Sequence, residues 1–290
     1  MTGFSLLAPG MDACAKLIGD ALAVGQVVAT RFGVQVLLLL PLALAFGWLH
    51  LPRMREMGLH LVRGALILVA TAFFFSALRF MPIADAIAIF FVEPFLLTLL
   101  GALLLAEPVG PRRYVACAIG FAGALLVIRP SFQEVGFAAL MPLVTALCFA
   151  FYMILTRSMV TRMHPITLQV YTGFGAVILV LPVLWLFDGS GVQPLDPSWP
   201  ERREMWLLAG VGLIATLSHV CISFALSFAP ASLLAPIQYL EILGATILGW
   251  LLFRDLPDAL TFLGIALIVG SGLFVFFRER ALERRPTPPP

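Results

Sequence analysis

Acidic residues inside long apolar segments are the first candidates for chemistry in this sequence. Glu93 and Glu241 each lie about a dozen residues into such a segment. At about 1.5 Å of rise per helical residue, each carboxyl would lie about 16 Å deep, near the middle of a membrane about 30 Å thick. An ionisable group at that depth costs roughly 2.5–3.5 kcal/mol on insertion scales, so both glutamates are candidates for a functional site.

A buried glutamate supports three hypotheses. Desolvation favours the neutral form of a carboxyl, so Glu93 and Glu241 could each hold a proton and release it when water enters. Either could instead form an ion pair with a cationic substrate. The structural alternative is a protonated side chain that hydrogen-bonds to a neighbouring helix and links the two halves of the chain. Pro94 and Pro236 lie near the glutamates, and each frees a backbone carbonyl that either lines a cavity or only marks a helix kink.

Asp12 and Lys16 form a second pair of candidates near the start of the chain. They are four residues apart, so on a helix they share a face and can interact. One interpretation is a site for a zwitterion, in which Lys16 meets a carboxylate and Asp12 meets an amine. The other is an ion pair that neutralises itself so that the helix can enter the bilayer.

Other polar side chains within apolar segments are candidates for lining a cavity or for holding its ends. The cavity candidates are Tyr152, His219, Gln238 and Tyr239. Each is as readily satisfied by a neighbouring helix as by a ligand. Asp85 is expected to cap its helix or to reach water. Arg31 and Arg79 lie near segment ends, where they are expected to extend towards the membrane surface, with a gating ion pair as the alternative.

The composition requires an integral membrane protein. Of 290 residues, 61% are hydrophobic and 12% are charged, whereas a soluble domain has about 25% charged residues. The net charge of +2 excludes a general electrostatic attraction to nucleic acid. The four cysteines show no CxxC or metal-ligand spacing and are interpreted as packing residues, so no metal or cofactor is expected.

Ten apolar spans of about 20 residues account for most of the chain. They are 1–18, 27–49, 60–80, 83–105, 112–129, 136–157, 165–187, 204–228, 231–253 and 258–277. The first is interpreted as a helix and not as a signal peptide, because its only lysine lies at its end. No HExxH, GxSxG, paired-aspartate or Walker motif is present, which disfavours an enzyme and an ATP-driven pump.

The sequence also contains an internal repeat. The segment Ala77–Pro82 is similar to Ala225–Pro230, and the same offset of 148 carries Glu93 onto Glu241. Further matches are Glu107 with Asp255, Gln26 with Gln169, Thr30 with Thr172, Phe32 with Phe174 and Pro41 with Pro182. The repeat unit contains five spans, and an odd number of crossings inverts the second copy in the membrane. Inverted repeats build secondary transporters whose site lies near the midplane, so the repeat favours alternating access.

With these features the sequence resembles the drug/metabolite transporter superfamily and, within it, the EamA family. The resemblance is carried by the two Ala77–Pro82 and Ala225–Pro230 segments, Glu93-Pro94, Ala106-Glu107-Pro108, Arg254-Asp255-Leu256-Pro257 and the glycine-rich helices around 119–128 and 264–272. It implies an all-α polytopic protein of ten transmembrane helices in two inverted repeats, residues 1–130 and 131–280, with a disordered proline-rich tail at 281–290. Met11-Asp12-Ala13, Lys16, Gly25-Gln26-Val27 and Arg31 resemble a bacterial branch that is similar to S-adenosylmethionine and riboflavin carriers.

The sequence therefore predicts a secondary transporter of the bacterial inner membrane. Its expected substrate is a small metabolite such as an amino acid, S-adenosylmethionine, riboflavin or a related compound, moved by proton coupling or exchange. A passive facilitator or a lipid flippase on the same fold is the alternative. Eleven arginines on the cytoplasmic side, Arg63 among them, against six on the outer side, Arg31 among them, favour both termini in the cytoplasm. Small residues at Gly120, Gly123, Gly264, Gly270 and Gly272 are expected to serve helix packing, with a homodimer left open.

Overall fold

The computed structural model describes residues 1–49, 51–104, 111–160, 162–228, 234 and 237–283. The helices are α1 (Thr2–Ile18), α2 (Val24–Ala45), α3 (Met54–Ala77), α4 (Ile83–Phe90), α5 (Glu93–Leu104), α6 (Pro111–Val135), α7 (Met141–Val160), α8 (Pro165–Phe187), α9 (Arg202–Phe228), α10 (Leu240–Leu248) and α11 (Ala259–Glu283). Over these ranges there is no β-strand. The expected all-helical class is confirmed.

The distribution of polar and apolar side chains is that of a multi-pass membrane protein. Within the described ranges, five helical segments are long and apolar enough to cross a membrane. They are Val24–Ala45, Met54–Ala77, Ser131–Val160, Pro165–Phe187 and Arg202–Phe228. Leu37, Trp185 and Trp206 point outward and are exposed, whereas Arg63 and Gln169 are buried. Apolar surface faces outward and polar groups face inward because the surrounding solvent is lipid.

The span expected at 83–105 is not one helix. Helix α4 ends at Phe90, and α5 begins at Glu93 after a two-residue turn. The N–H of Val92 bonds to the carbonyl of Ile89, three residues back, which tightens the turn. Pro94 has no N–H to continue the helical ladder, so the helix restarts with proline in its first turn, where proline is tolerated. The break lies beside the proline for which the sequence predicted a freed carbonyl or a kink.

The corresponding helix in the second half is described from residue 237 onward. A turn at Tyr239 precedes α10, which continues through a π-helical turn at Gly249–Phe253. Pro236 and the carbonyl it was expected to free lie outside the described residues, as do Glu107 and residues 284–290 of the proline-rich tail. The last helix continues to Glu283, three residues beyond the expected end of the second repeat.

Helices of the first half pack mainly on helices of the second half. Helix α1 contacts α9 and α10, α2 contacts α8 and α9, α3 contacts α7 and α8, and α6 contacts α11. The last contact depends on two glycines. A Cβ at Gly264 would lie 2.6 Å from the carbonyl oxygen of Gly123, and a Cβ at Gly123 would lie 2.8 Å from that of Gly264. These two glycines therefore serve packing within the chain.

Candidate functional site

A cavity of about 60 Å³ lies between helices of both halves. Its lining residues are Phe4, Ala8, Met11, Asp12, Arg31, Ile67, Ala70, Thr71, Phe74, Phe75, Phe90, Thr145, Phe149, His219 and Glu241. Asp12, Arg31 and Glu241 are almost fully buried, with at most 4% of their surface exposed. The structure therefore brings together four of the polar residues singled out in the sequence, the fourth being His219.

The two glutamates occupy equivalent positions in the secondary structure. Glu93 is in the first turn of α5 and Glu241 is in the first turn of α10, each directly after an interruption. Carboxylates are favourable near helix N-termini because the helix dipole is positive there. Both oxygens of Glu93 and Oε2 of Glu241 have no hydrogen-bond partner. Glu241 lines the cavity together with Asp12, whereas Glu93 lies behind the lining but within electrostatic range of Glu241.

Lys16 does not pair with Asp12. Its Nζ lies 3.0 Å from Oδ2 of Asp255 and donates a hydrogen bond of 3.0 Å to the carbonyl of Met81. Oδ1 of Asp12 has no hydrogen-bond partner, and this carboxylate interacts electrostatically with Arg31. Of the two interpretations of the spacing, the self-neutralising pair is wrong, because α1 turns Asp12 into the bundle and places Lys16 at its C-terminal end, where it binds Asp255.

Arg31 does not extend to the membrane surface. It is 1% exposed, and its Nη2 lies 2.6 Å from Nε2 of His219. Its guanidinium also lies over the ring of Phe32, 4.2 Å from the ring centroid. The expectation of an arginine at the surface was wrong, because α2 begins at Val24 and the side chain points towards α9. Arg31 Nε and Nη1 have no hydrogen-bond partner.

Tyr152 belongs to a hydrogen-bond network behind the cavity, centred on Gln169. The amide nitrogen of Gln169 donates to the hydroxyl of Tyr152 at 3.1 Å and to Oγ of Ser223 at 2.6 Å. The amide oxygen accepts from Nε2 of Gln35 at 3.0 Å. The ring of Tyr152 contacts that of His219 edge-on, with centroids 6.2 Å apart. Tyr152 therefore supports the cavity wall and does not line the cavity itself.

Sequence reasoning missed Arg63. This residue was counted with the cytoplasmic charges, yet it is fully buried. Its Nη1 donates to Oγ1 of Thr172 at 2.8 Å, its Nη2 donates to Oγ1 of Thr156 at 3.1 Å, and its guanidinium lies over the ring of Tyr152. The available signal was that Arg63 lies inside the span expected at 60–80. The structure starts this helix at Met54 and so places Arg63 further from the helix end than expected.

The remaining candidates lie away from the cavity lining. Gln238 and Tyr239 are buried beside Glu241, and the ring of Tyr239 contacts Phe91 edge-on at 5.2 Å. Arg79 forms an ion pair of 3.3 Å with Asp20 and also donates to the carbonyl of Leu22. Asp85 is half-buried in the first turn of α4, and its Oδ1 has no hydrogen-bond partner.

A sequence model of the EamA-like transporter family matches the chain over residues 6–129 and 136–277. The chain belongs to this family. Membership identifies the chain as a membrane transporter and not as an enzyme. The expectation drawn from the sequence is confirmed on both points.

Relatives of this EamA-like transporter are named as riboflavin transporters, S-adenosylmethionine uptake transporters and a pseudopaline exporter. A "Riboflavin transporter" from Rhizobium johnstonii is 29% identical over 81% of this chain and 79% of its own length. An "S-adenosylmethionine uptake transporter" from Rickettsia conorii is 25% identical over 94% of this chain and 90% of its own. A protein of known crystal structure shares the fold, with a TM-score of 0.69, 20% identity and 97% of each chain covered.

Proposed function

We propose that this EamA-like transporter is a secondary transporter that moves a small metabolite across the bacterial inner membrane by alternating access. The names of its relatives support S-adenosylmethionine, riboflavin or a related compound as the substrate, and an amino acid stays in the class that the sequence predicts. The cavity between the halves is the proposed substrate site. Its volume of about 60 Å³ is well below the roughly 300 Å³ of a typical ligand pocket. Helices must therefore separate when substrate enters.

The observation that carries this proposal is the symmetry of the helix contacts. If the two halves are repeats, the helices correspond in order: α1 to α7, α2 to α8, α3 to α9, α4–α5 to α10, and α6 to α11. Each contact between helices should then have a counterpart in which every helix is replaced by its equivalent. The α1–α9 contact then becomes α3–α7, and the α2–α9 contact becomes α3–α8; all four occur. The contact of α1 with α10 becomes that of α7 with α4 and α5, and the α2–α8 and α6–α11 contacts are unchanged. This pattern supports two repeats, residues 1–130 and 131–280.

Individual residues follow the same symmetry. A Cβ at Gly64 would lie 2.8 Å from the backbone nitrogen of Ala176. A Cβ at Gly212, which is 148 residues later, would lie 2.5 Å from Cβ of Val34, and Val34 and Ala176 are 142 residues apart. The offset of 148 is that of Glu93 and Glu241, and the offset of 142 is that of Thr30 with Thr172 and of Phe32 with Phe174. Five crossings per repeat invert the second copy, so an opening of one half towards one side has an equivalent towards the other.

The carboxyls support proton coupling or exchange as the energy source. Asp12 and Glu241 line the cavity, and Glu93 lies within electrostatic range of Glu241. Three carboxyls this deep in a membrane protein favour a role in binding or coupling. In the proposed cycle, a cationic group of the substrate and a proton compete for these carboxyls, so that binding of one releases the other.

Both termini are proposed to lie in the cytoplasm. Arg63 and Arg31 are buried in the bundle, so they give no information about which side of the membrane the helix ends face. Removing Arg63 from the cytoplasmic set and Arg31 from the outer set leaves the bias at ten against five. The cavity is formed by helices of one chain, so the proposed cycle requires no second copy.

Substrate counterflow in proteoliposomes tests the proposal. Vesicles are preloaded with one member of a panel of amino acids, S-adenosylmethionine, riboflavin and cationic drugs, and the labelled compound is added outside. Saturable accumulation that follows an imposed pH gradient is the expected result. Exchange that does not respond to the pH gradient would contradict proton coupling and favour antiport or passive facilitation. Absence of flux for the whole panel, together with scrambling of labelled lipid, would favour a flippase.

A further inference from the structure

Two basic side chains near the ends of equivalent helices donate to backbone carbonyls. Lys16, in the last turn of α1, donates from Nζ to the carbonyl of Met81, which follows α3, at 3.0 Å. Arg157, in the last turn of α7, donates from Nη1 to the carbonyl of Leu226, near the end of α9, at 2.7 Å. Helices α1 and α7 correspond in the proposed repeat, and so do α3 and α9. The two contacts are therefore counterparts of each other.

The two contacts lie near opposite ends of α3. Met81 follows the C-terminal end of this helix. Towards the N-terminal end, Nη2 of Arg63 donates to Oγ1 of Thr156, the neighbour of Arg157 on α7. From Arg63 to Ala77, the last residue of α3, the helix rises by about 21 Å at 1.5 Å per residue. This rise is most of the roughly 30 Å of the hydrocarbon core, so the two contacts are placed towards opposite membrane surfaces.

The contacts also lie on different sides of the cavity. Asp12 lines the cavity and precedes Lys16 by about one turn of α1. Phe149 lines the cavity and precedes Arg157 by about two turns of α7. Because α1 and α7 end near opposite ends of α3, the Lys16 contact lies beyond the cavity in one direction and the Arg157 contact lies beyond it in the other.

Lys16 joins elements of both halves. Its Nζ forms an ion pair of 3.0 Å with Oδ2 of Asp255, between α10 and α11, and lies 4.9 Å from the ring centroid of Phe253. One side chain therefore connects α1, the turn after α3 and the α10–α11 connection. The side chains of Lys16 and Asp255 are 16% and 33% exposed. An ion pair in contact with solvent is weak enough to break during a transport cycle.

Several carboxyls surround Lys16 at this end of the bundle. The carboxyl of Asp85, in the first turn of α4, lies within electrostatic range of Lys16. Three further carboxyls lie within its range, those of Glu134, Asp255 and Asp258. Carboxylates on different helices repel one another when no cation lies between them. Release of Lys16 therefore favours separation of these helix ends.

The backbone that presents Asp255 is irregular. A π-helical turn runs from Gly249 to Phe253, and the N–H of Asp255 bonds to the carbonyl of Gly249 at 3.2 Å. Arg254 has a φ of 62° and is, in the described part of the chain, the one non-glycine residue with a positive φ. Such a conformation is sparsely populated and persists where surrounding contacts hold it. The connection can therefore relax when Lys16 releases Asp255.

We propose that Lys16 and Arg157 are gating residues whose contacts break in alternation, each opening the cavity to one side of the membrane. Both contacts are formed in this structure. With the termini in the cytoplasm, the Lys16 contact controls access from the outer side and the Arg157 contact controls access from the cytoplasmic side. The inference rests on the proposed function and adds the residues that control its two openings.

Labelling of a cavity residue from each side tests the inference. Ala8 lines the cavity on α1, so Ala8→Cys is the reporter, in full-length protein whose four natural cysteines are replaced by serine. A membrane-impermeant methanethiosulfonate is added to spheroplasts, which expose the outer side, or to inside-out vesicles, which expose the cytoplasmic side. Mass spectrometry measures the rate of labelling at position 8.

Variants of the Lys16 contact should open the outer side. Asp255→Asn removes one charge at nearly constant size, and we expect it to raise the outer labelling rate by about two- to fivefold, the effect of losing a partly exposed ion pair. The cytoplasmic rate should stay unchanged or fall. Lys16→Met also loses the bond to Met81 and should raise the outer rate further, whereas Lys16→Arg should label almost as slowly as the reporter protein.

The reporter protein also permits a test without altering the gate. Salt at about 1 M screens a partly exposed ion pair, so it should raise the outer labelling rate. An outer rate that is the same at low and high salt, together with an unchanged rate in Lys16→Met, would overturn the role of Lys16.

The Arg157 contact should show the opposite sidedness. We expect Arg157→Met to raise the cytoplasmic labelling rate and not the outer rate. The controls Asp188→Asn and Arg55→Gln alter exposed residues and should change neither rate. Equal increases from both sides in the gate variants would overturn the inference, because a loosened fold has no sidedness. Interchange of the two sides would support the gates and reverse the proposed orientation.

The inference and the proposed function fail separately. Side-specific labelling by protein that shows no counterflow of any compound would support the gates and overturn the transport cycle. Unaltered counterflow and unaltered labelling in Lys16→Met and Arg157→Met would overturn the gates and leave the transport proposal standing.

Discussion

Glu93 and Glu241 show how equivalent residues in two repeats acquire different surroundings. Both lie in the first turn of a helix after an interruption, but only Glu241 lines the cavity beside Asp12. Glu93 has two carboxyl oxygens without a partner and no described cation nearby. Under the proposed proton coupling, Glu93 would exchange its proton with the cavity through Glu241 or through transient entry of water.

Neutral amides at these positions test the role of the carboxyls. We expect Glu93→Gln and Glu241→Gln each to abolish uptake driven by a pH gradient or to uncouple it from the gradient, because an amide cannot exchange a proton. Melting temperatures should stay close to that of the unaltered protein, since the amide is nearly isosteric. Glu201→Gln is the matched control, because its carboxyl is exposed. Unchanged pH-dependent flux in both buried variants would contradict the hypothesis.

Gln169 is the residue on which the polar network depends. Gln169→Met keeps the side-chain length and removes four hydrogen bonds, to Tyr152, Ser223, Gln35 and the carbonyl of His219. We expect the free energy of unfolding to fall by about 2–3 kcal/mol, because buried polar groups lose their partners. The control Gln26→Met loses two exposed bonds to the backbone of Ser198 and should cost less than about 1 kcal/mol. Equal decreases in the free energy of unfolding of the two variants, measured by chemical denaturation, would show that burial of the side chain does not determine the size of the decrease.

The helix that contains Glu93 is interrupted within the bundle. The α4–α5 interruption places the first turn of a helix, and with it Glu93, inside the bundle. An unbroken helix would present no free N-terminal N–H groups at this depth. Interruptions of this kind are tolerated in membrane proteins where they lie within protein or line a cavity. We propose that they contribute to the candidate site, because Phe90 at the end of α4 and Glu241 at the start of α10 line the cavity.

The close packing of α6 on α11 can be tested by substituting its glycines. Gly264→Ala should lower stability by about 1–3 kcal/mol, because its Cβ would meet the backbone of Gly123 and the side chain of Val127. The control Gly270→Ala lies in the same helix with no atom within 4 Å of its Cβ. It should be neutral or stabilising by up to about 1 kcal/mol, because alanine favours helix. Melting temperatures in nanodiscs measure both, and the same sign of change for the two variants would contradict the packing argument.

The whole molecule must open if a ligand larger than the cavity is to cross. Helices α1 and α9 belong to different halves and both line the cavity, through Asp12 and His219. A Cβ at Gly3 would lie 3.6 Å from Cβ of Cys221, within the 3.5–4.5 Å typical of a disulfide. A cysteine at position 3 can therefore link the two halves without another substitution.

Transport should stop when that link forms. We expect Gly3→Cys to lose counterflow on oxidation and to regain it on reduction, because α1 and α9 can no longer separate. Gly3→Cys combined with Cys221→Ser is the control and should be insensitive to oxidation. Full transport by protein shown by mass spectrometry to be cross-linked would mean that the halves move without separating at this contact.

Much of the fold could be read from the sequence because the signals are local. A run of apolar residues long enough to cross a bilayer specifies a membrane helix whatever its neighbours are. The family and its transport function also follow from local motifs, and the offset of 148 anticipated the equivalence of Glu93 and Glu241. The prolines indicated an interruption, although its position between Phe90 and Glu93 required the structure.

The partners of the charged residues were decided only by tertiary structure. The spacing of Asp12 and Lys16 permits an ion pair, yet Lys16 binds Asp255, which is 239 residues away. Arg31 and Arg63 lie near the expected span ends, where an arginine can extend to the surface or turn inward. Their direction depends on which helices pack against α2 and α3, and hence on His219, Thr156 and Thr172. Hydropathy reports the depth of a residue along one helix, whereas a site requires faces of several helices to converge.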